Sequence, residues 1–334
     1  MAIDAQDAAG PVVLVGEATA DWTGDARYYE YSAAADPVGS GVMPPVPLGR
    51  FPASLHHGPG SRLVPLDLSS GLGVDYPATS PALLAEFVVL DPGDTLTTRA
   101  DSTSELYYCL EGGGTSTFVR TAPDGSARTA TVPWAPGDVV TLPAGCTTEH
   151  TAAPTARALL YRVTDAPLLA YLGAVPGGPQ FAPTRYDAAT SRRRLAEVAS
   201  APESALRNRV SILLGNAAQP RTLTATHTLW AMLGVLPADR VQRPHRHQSA
   251  ALDLITRCAP GCYTLIGTEI DGTGRIVDPV RVDWEGAAAF VTPPGLWHSH
   301  HNESGEPAYL VPVQDAGLHT YLRSLDIRFA PPER

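Results

Sequence analysis

The chain has no lysine: all 24 basic residues among its 334 are arginine. Chemistries that need a side-chain amine, such as Schiff bases, pyridoxal-phosphate enzymes and P-loop phosphate binding, are thereby excluded. Cysteine is scarce. Cys109, Cys146, Cys258 and Cys262 are too few and too scattered for a disulfide framework, and the one close pair, in CAPGC, reads as a turn. No apolar run approaches the roughly 20 residues needed to cross a bilayer. The N-terminal MAIDAQDAAG lacks a basic segment followed by an apolar one. These absences predict a cytoplasmic protein with no membrane partner. A formal net charge of -10 repels phosphate backbones, so nucleic acid is not an expected partner either.

Turn chemistry, by contrast, is abundant. The 30 glycines and 32 prolines are spread along the chain, and the hydrophobic content is 44%. This predicts an all-β protein of many short strands joined by tight turns. Residues 81–165 and 222–315 are runs of alternating apolar residues punctuated by PGD, EGGG, APDG, WAPGD, PAG, APG, DGTG and PPG. Both runs repeat one order of landmarks: apolar strand, turn, strand bearing charges or histidines, Gly-rich hairpin, Trp-containing turn, Pro-x-Gly turn. Such a repeat points to an internal duplication. The expected organisation is an N-terminal arm over residues 1–80, a first barrel over 81–184, a helical linker over 185–210 and a second barrel over 211–334. In the linker, Asp187 to Val198 and Pro202 to Arg209 carry helical patterning. The arm holds short strand-like pieces such as VVLV at residues 12–15.

The chemistry lies in the second run. Pro244-His245-Arg246-His247 places two imidazoles at i and i+2, which share a face in a strand. About fifty residues later, Pro293-Pro294-Gly295-Leu296-Trp297-His298 sets a third histidine just after a Pro-Gly turn, on a strand able to lie beside the first. His245, His247 and His298 are the candidate metal ligands. Three neutral imidazoles cap one face of a six-coordinate ion and leave about three positions free, room for a bidentate substrate and O2 together. The spacing matches the cupin signature, His-x-His followed by Pro-x-Gly-x-x-His-x-x-x-Asn, met here by Pro293, Gly295, His298 and Asn302. That resemblance implies two cupin (jelly-roll) β-barrels in tandem. The glutamate that many cupins carry four or five residues after the second histidine is replaced by Ala251 and Leu252. Iron(II) is the expected metal, although the same imidazoles also accept Mn, Ni, Cu or Zn.

On a regular strand, Arg243, Ser249 and Asp253 share the parity of His245 and His247 and face the same barrel. Arg243 is then either a grip for a substrate carboxylate or a solvent-facing residue at the barrel mouth. Asp253 is a candidate to orient a ligand imidazole or pair an arginine. His300, in phase with His298, is the candidate acid-base or hydrogen-bonding group, and Gln314 joins these three as a catalytic candidate. Gln242, Gln248, Trp230 and Trp297 are the substrate-binding candidates. His56, His57 and His227 have no partner at ligand spacing, and His319 is an outside candidate.

In the first repeat, Arg99 and Asp101 stand where the paired histidines belong, with Glu105 at the acidic-ligand spacing and Thr148 in place of the third histidine. Arginine cannot coordinate a metal. This barrel is expected to be metal-free, with an arginine facing Asp101 or Glu105 in place of the ion.

The segments PHRHQSAALDL, Gly261–Gly267 and VTPPGLWHSHHNES together resemble gentisate 1,2-dioxygenase and its salicylate- and hydroxynaphthoate-cleaving relatives. The likeness is strongest over residues 205–315 and architectural before them. It implies a bicupin, iron-dependent, ring-cleaving dioxygenase that takes a small chelating substrate and O2 and forms a homodimer or homotetramer. Two departures stand out. The iron-bearing cupin of those enzymes is usually the N-terminal one, whereas these histidines lie in the second barrel. Their first motif reads His-x-His-Thr-Gln-Ser-Ala, whereas Gln248 directly follows the second histidine here. The departures leave open an oxygenase of an amino acid or amine, and a non-catalytic bicupin that binds a small acid or stores metal.

Overall fold

The structure, a computed structural model, describes residues 22–121 and 126–331. The VVLV piece at residues 12–15 and the APDG turn at 122–125 lie outside the described residues. The chain divides into two compact units, Met1–Pro44 and Pro45–Arg334. In the first, Tyr31–Ala34 forms one helical turn, started by the Glu30 carboxylate, which accepts from the backbone N–H of Ser32 (3.0 Å) and Ala33 (2.9 Å). Trp22, Tyr28, Tyr29 and Tyr31 are exposed. Among the described residues no helix is long and apolar enough to cross a membrane.

The second unit is built from four antiparallel sheets that form two jelly-roll barrels, as the all-β reading anticipates. In the first barrel a six-stranded sheet runs Thr184–Tyr186, Val139–Pro143, Ser104–Glu111, Ala158–Thr164, Leu84–Leu90, Arg62–Pro65. It faces a four-stranded sheet, Thr95–Arg99, Thr147–Ala152, Gly114–Thr121, Ala127–Trp134. The second barrel repeats the plan. Its six-stranded sheet runs Arg50–Phe51, Ala289–Thr292, Ala251–Arg257, Ala308–Gln314, Trp230–Leu236, Val210–Leu214, and its five-stranded sheet runs Val280–Asp283, Cys262–Gly267, Trp297–Asn302, Arg240–Arg246, Arg328–Phe329.

The two six-stranded sheets pack on each other, so their central strands are buried on both faces. In Leu84–Leu90, Phe87 and Val89 join the core between the barrels while Val88 and Leu90 fill their own barrel. In Ala251–Arg257, Leu252 and Leu254 face the first barrel and Ile255 faces the interior of the second. Burial on both sides is why these segments read as near-continuous apolar runs.

Residues of the expected arm contribute an edge strand to each barrel. Arg62–Pro65 pairs with Leu84–Leu90, and Arg50–Phe51 pairs with Ala289–Thr292. Between the barrels, Ala188–Ser200 is a helix capped by Asp187, whose carboxylate accepts from Thr190 N at 2.8 Å, and Pro202–Leu206 is a 3-10 turn. Arg209, placed in the helical pattern by the sequence, instead lies outside the helix, just before the strand Val210–Leu214.

The duplication extends to register. Glu105 pairs with Leu142 and Thr164, while Ala251 pairs with Thr292 and Gln314, so Ala251 holds the position that Glu105 holds in the first barrel. Each barrel ends in a short helix, Ala166–Leu172 and Ala316–Leu322. The preceding aspartates, Asp165 and Asp315, accept from the backbone N–H of Ser104 (3.1 Å) and Ala250 (2.9 Å).

Candidate metal centre

The strand Arg240–Arg246 lies antiparallel to Trp297–Asn302, with Gln242 opposite His300 and His245 opposite His298. Three steps on one strand therefore match two on the other, a β-bulge at Arg243-Pro244. Proline lacks the N–H that a regular ladder requires, so the sequence itself marks this interruption. The bulge turns both Gln242 (5% exposed) and His245 (3%) inward. Downstream, Gly295 adopts φ +76°, which favours glycine, and donates its N–H to the His247 carbonyl at 2.7 Å. The Pro-Gly turn thus ties the third histidine's strand to the first motif.

His245, His247 and His298 are buried, and one ring nitrogen of each lies within 4.8 Å of the other two. Ring centroids are 4.0 Å apart for His245 and His298 and 4.9 Å for His247 and His298. Each Nδ1 faces a backbone carbonyl: Arg243 O at 3.2 Å, Ser249 O at 2.9 Å and Leu296 O at 3.1 Å, respectively. These contacts place the proton on Nδ1 and leave the Nε2 lone pair for an ion, the arrangement that orients metal-binding histidines. Burial holds His245 and His298 well below the usual imidazole range, reinforced for His245 by the Arg209 cation. Burial also pushes His247 down to about 4. Three neutral, pre-aimed imidazoles fit a divalent metal.

Other polar residues buttress this set. Ser249 Oγ lies 3.0 Å from His247 Nδ1 and donates to Gln314 Oε1 at 2.9 Å, so Gln314 reaches His247 through Ser249. Asp253, 2% exposed, accepts from Thr292 Oγ1 at 2.7 Å, and burial raises its carboxyl to about 6. Trp230, opposite Gln314, has a buried indole N–H with no partner among the described residues. Asn302 acts as a staple: its Nδ2 donates to the carbonyls of Leu236, Pro237 and Glu306, and its Oδ1 accepts from Ser304 N and Oγ.

Arg209 is the participant that sequence reasoning missed. Its Nη2 lies 3.4 Å from His245 Nε2 and 3.5 Å from His300 Nε2. With the Gln242 amide turned so that its oxygen faces the guanidinium, Gln242 accepts from Arg209 Nε (2.9 Å) and Nη2 (3.2 Å). The neighbouring Asn208 explains the aim. Its Oδ1 accepts from Arg243 N at 2.7 Å and its Nδ2 donates to Arg243 O at 3.3 Å, which pins the approaching chain to the bulge. No spacing rule links residue 209 to residue 245, and only the fold brings them together.

Several sequence expectations are corrected. Gln248 lies beyond the strand's end, and its Oε1 accepts the backbone N–H of Asp326 at 2.8 Å, so it is tied to the C-terminal segment. Trp297 precedes His298 and so faces the opposite side of its strand, under the guanidinium of Arg246 at 5.1 Å. The parity argument for Arg243 fails because the bulge resets the alternation; its backbone, bonded to Asn208 and His245, is what serves the centre. His319 bonds Ser324 Oγ through Nδ1 at 3.0 Å.

In the first barrel an arginine does face Glu105, but it is Arg162 and not Arg99. Arg99 and Asp101 are exposed. Thr98, opposite Thr148, takes the place of His245 opposite His298. The strand sits one residue out of the expected register, so Thr98 faces inward and Arg99 outward. The buried cation is Arg162, whose guanidinium bonds Glu105 (2.8 and 3.0 Å) and Glu86 (2.6 Å), with all three side chains no more than 7% exposed.

No family model matches the chain, and no curated protein matches it. Among solved structures, the chain is similar to salicylate 1,2-dioxygenase from Pseudaminobacter salicylatoxidans, with a TM-score of 0.62 and 17% identity over 81% of each chain. Adducts with gentisate of the salicylate 1,2-dioxygenase from Pseudoaminobacter salicylatoxidans match at 0.59 and 16%, covering 90% of this chain and 84% of that one. An oxalate decarboxylase matches at 0.52 and 13%, covering 79% and 76%. At these identities the likeness defines the fold, a bicupin.

Proposed function

We propose that the chain is a non-haem iron(II) dioxygenase that acts on a small chelating acid, a hydroxylated aromatic carboxylate of the gentisate or salicylate type, with carbon-carbon cleavage. The observation that carries this reading is the three inward imidazoles with Nδ1 tied to carbonyls, at a site where Ala251 stands in place of an acidic ligand. Such a set leaves one side of the ion open for substrate and O2. Bound iron(II) would supply one-electron chemistry and O2 activation.

The chain's own residues bind and orient. Arg209 offers charge-assisted hydrogen bonds to a carboxylate held beside His245. Gln242 fixes the guanidinium, and Gln314 and Ser249 fix the His247 ring. The Trp230 indole N–H, buried without a partner among the described residues, is a further donor for the substrate. The structural neighbours are named for salicylate and for a gentisate adduct, acids with a carboxylate and a hydroxyl on one ring. A cation beside the metal suits that class.

Metal analysis of the purified protein beside His245→Ala, followed by O2 uptake with gentisate and salicylate, tests the proposal. Metal lost in the variant and O2 consumed by the parent support it. Equal metal content, or an iron-loaded parent inert to every chelating acid, sinks it.

Asp253 favours a second reading. A buried acid on the strand that lines the same barrel, sensing the charge of Arg209, suits a substrate with both an anionic and a cationic group, such as an amino acid. Adding amino acids and amines to the O2 screen separates the two.

A further inference from the structure

Four histidines point into the second barrel, yet only three group as ligands. The His300 ring centroid stands 6.0 Å from that of His245 and 5.8 Å from that of His298. Its Nδ1 meets Thr264 Oγ1 at 2.8 Å, and the same oxygen accepts the indole N–H of Trp284 at 2.8 Å. Thr264 is fully buried. If His300 Nδ1 carried a proton, the hydroxyl hydrogen of Thr264 would be left without an acceptor among the described residues. The hydroxyl therefore donates to Nδ1, and the ring proton of His300 sits on Nε2. This is the opposite tautomer to that of His245, His247 and His298. The 3.5 Å approach of Arg209 Nη2 to His300 Nε2 is too long to reverse the assignment against a 2.8 Å bond.

The first barrel carries the same motif with its direction independently set. Trp134 Nε1 donates to Ser116 Oγ at 2.8 Å, and Ser116 Oγ lies 2.7 Å from His150 Nδ1. His150 Nε2 lies 2.9 Å from Thr98 Oγ1, which lies 2.9 Å from Tyr107 Oη, and Tyr107 donates to Glu105 Oε2 at 2.6 Å. The Glu105 carboxylate, paired with Arg162, only accepts. Tyr107 must therefore accept from Thr98, Thr98 from His150 Nε2–H, and His150 Nδ1 from Ser116. His150 stands opposite Leu96 as His300 stands opposite Gln242, so the two rings are equivalent. In the first barrel the Nε2–H ends on Thr98. In the second, His245 occupies that position, and His300 Nε2 lies 3.5 Å from Arg209 Nη2, which is itself 3.4 Å from His245 Nε2.

We propose that Trp284 and Thr264 are positioning residues that hold His300 as its Nε2–H tautomer. His300 then donates a hydrogen bond into the open side of the centre and is barred from becoming a fourth ligand. A four-imidazole shell would take one of the positions that a chelating substrate and O2 need. The consequence for the metal rests on the function proposed above; the tautomer is a property of the metal-free chain.

Proton-nitrogen correlation spectra of the metal-free protein, with ring-nitrogen-labelled histidine, read the tautomers directly. The expected result is a pyridine-type Nδ1 and pyrrole-type Nε2 for His300, and the reverse for His245, His247 and His298. Thr264→Val loses the His300 pattern and Thr264→Ser keeps it. Cobalt(II)-loaded Thr264→Val shows an additional nitrogen ligand relative to the parent and to Thr264→Ser. A protonated Nδ1 on His300 in the parent, or an unchanged tautomer in Thr264→Val, overturns the proposal. The parent spectrum decides the assignment by itself should Thr264→Val not fold. A chain that takes up no cobalt yet shows the expected tautomer upholds the assignment and refutes only the metal reading.

Discussion

The Arg209 guanidinium lies 3.4 Å from Nε2 of His245, so a fixed cation stands beside the atom whose lone pair faces the metal position. A dication and a guanidinium this close repel each other until an anion comes between them. With a metal bound as proposed, the pair is expected to favour anionic ligands at the centre.

Arg209→Met is expected to separate the two effects. Removing the cation strengthens metal binding and weakens binding of a chelating acid to the zinc-loaded protein, by about 1.5–3 kcal/mol or roughly 10- to 150-fold. Calorimetric titration of metal and acid in turn checks both signs. Acid affinity that is unchanged in the variant would remove Arg209 from the substrate site.

His298→Ala and His300→Ala lie two residues apart on one strand and are expected to behave differently. The first loses stoichiometric metal, and the second keeps it, because its ring is bonded through Thr264 rather than grouped with the ligands. Metal content after dialysis distinguishes them. Equal loss in both variants would mean that His300 belongs to the ligand set.

Arg162→Met leaves Glu86 and Glu105 buried without their cation and is expected to cost about 3–5 kcal/mol of stability. Replacing both glutamates with leucine in the same chain should restore much of that loss, since an apolar trio needs no pairing. Denaturant midpoints of the single and triple variants, with second-barrel metal content as a control, test this.

Asp253 has a folded-state carboxyl raised to about 6 from 3.8. The folded chain then binds more protons than the unfolded chain between those values, so this group's stabilising contribution is present below about 4 and lost as the pH rises through about 6. Asp253→Asn should remove that slope and stabilise the metal-free protein at pH ~8 relative to the parent by about 3 kcal/mol. Urea melts of both proteins across this range report the difference; parallel curves would show that the carboxyl is not raised.

The metal-ligand candidates were legible in the sequence because their geometry is local. Two histidines at i and i+2 share a strand face, and a Pro-Gly turn before the third aligns its strand. The duplication was legible too, because strand alternation and turn residues are written segment by segment. Alternation stops at a strand's end, beyond which Gln248 lies, and it separates two faces, so Trp297 points away from His298. Arg243 departs from the alternation because a bulge inserts one residue and resets the phase.

The two-barrel plan and the three imidazoles that converge in one barrel follow from residue order alone. The company those imidazoles keep depends on how distant segments pack. Arg209 arrives from the linker because Asn208 grips the bulge, Arg162 rather than Arg99 fills the first barrel, and Thr264 with Trp284 sets the proton on His300. These contacts join residues on separate strands, and their strength depends on burial, which no linear spacing encodes.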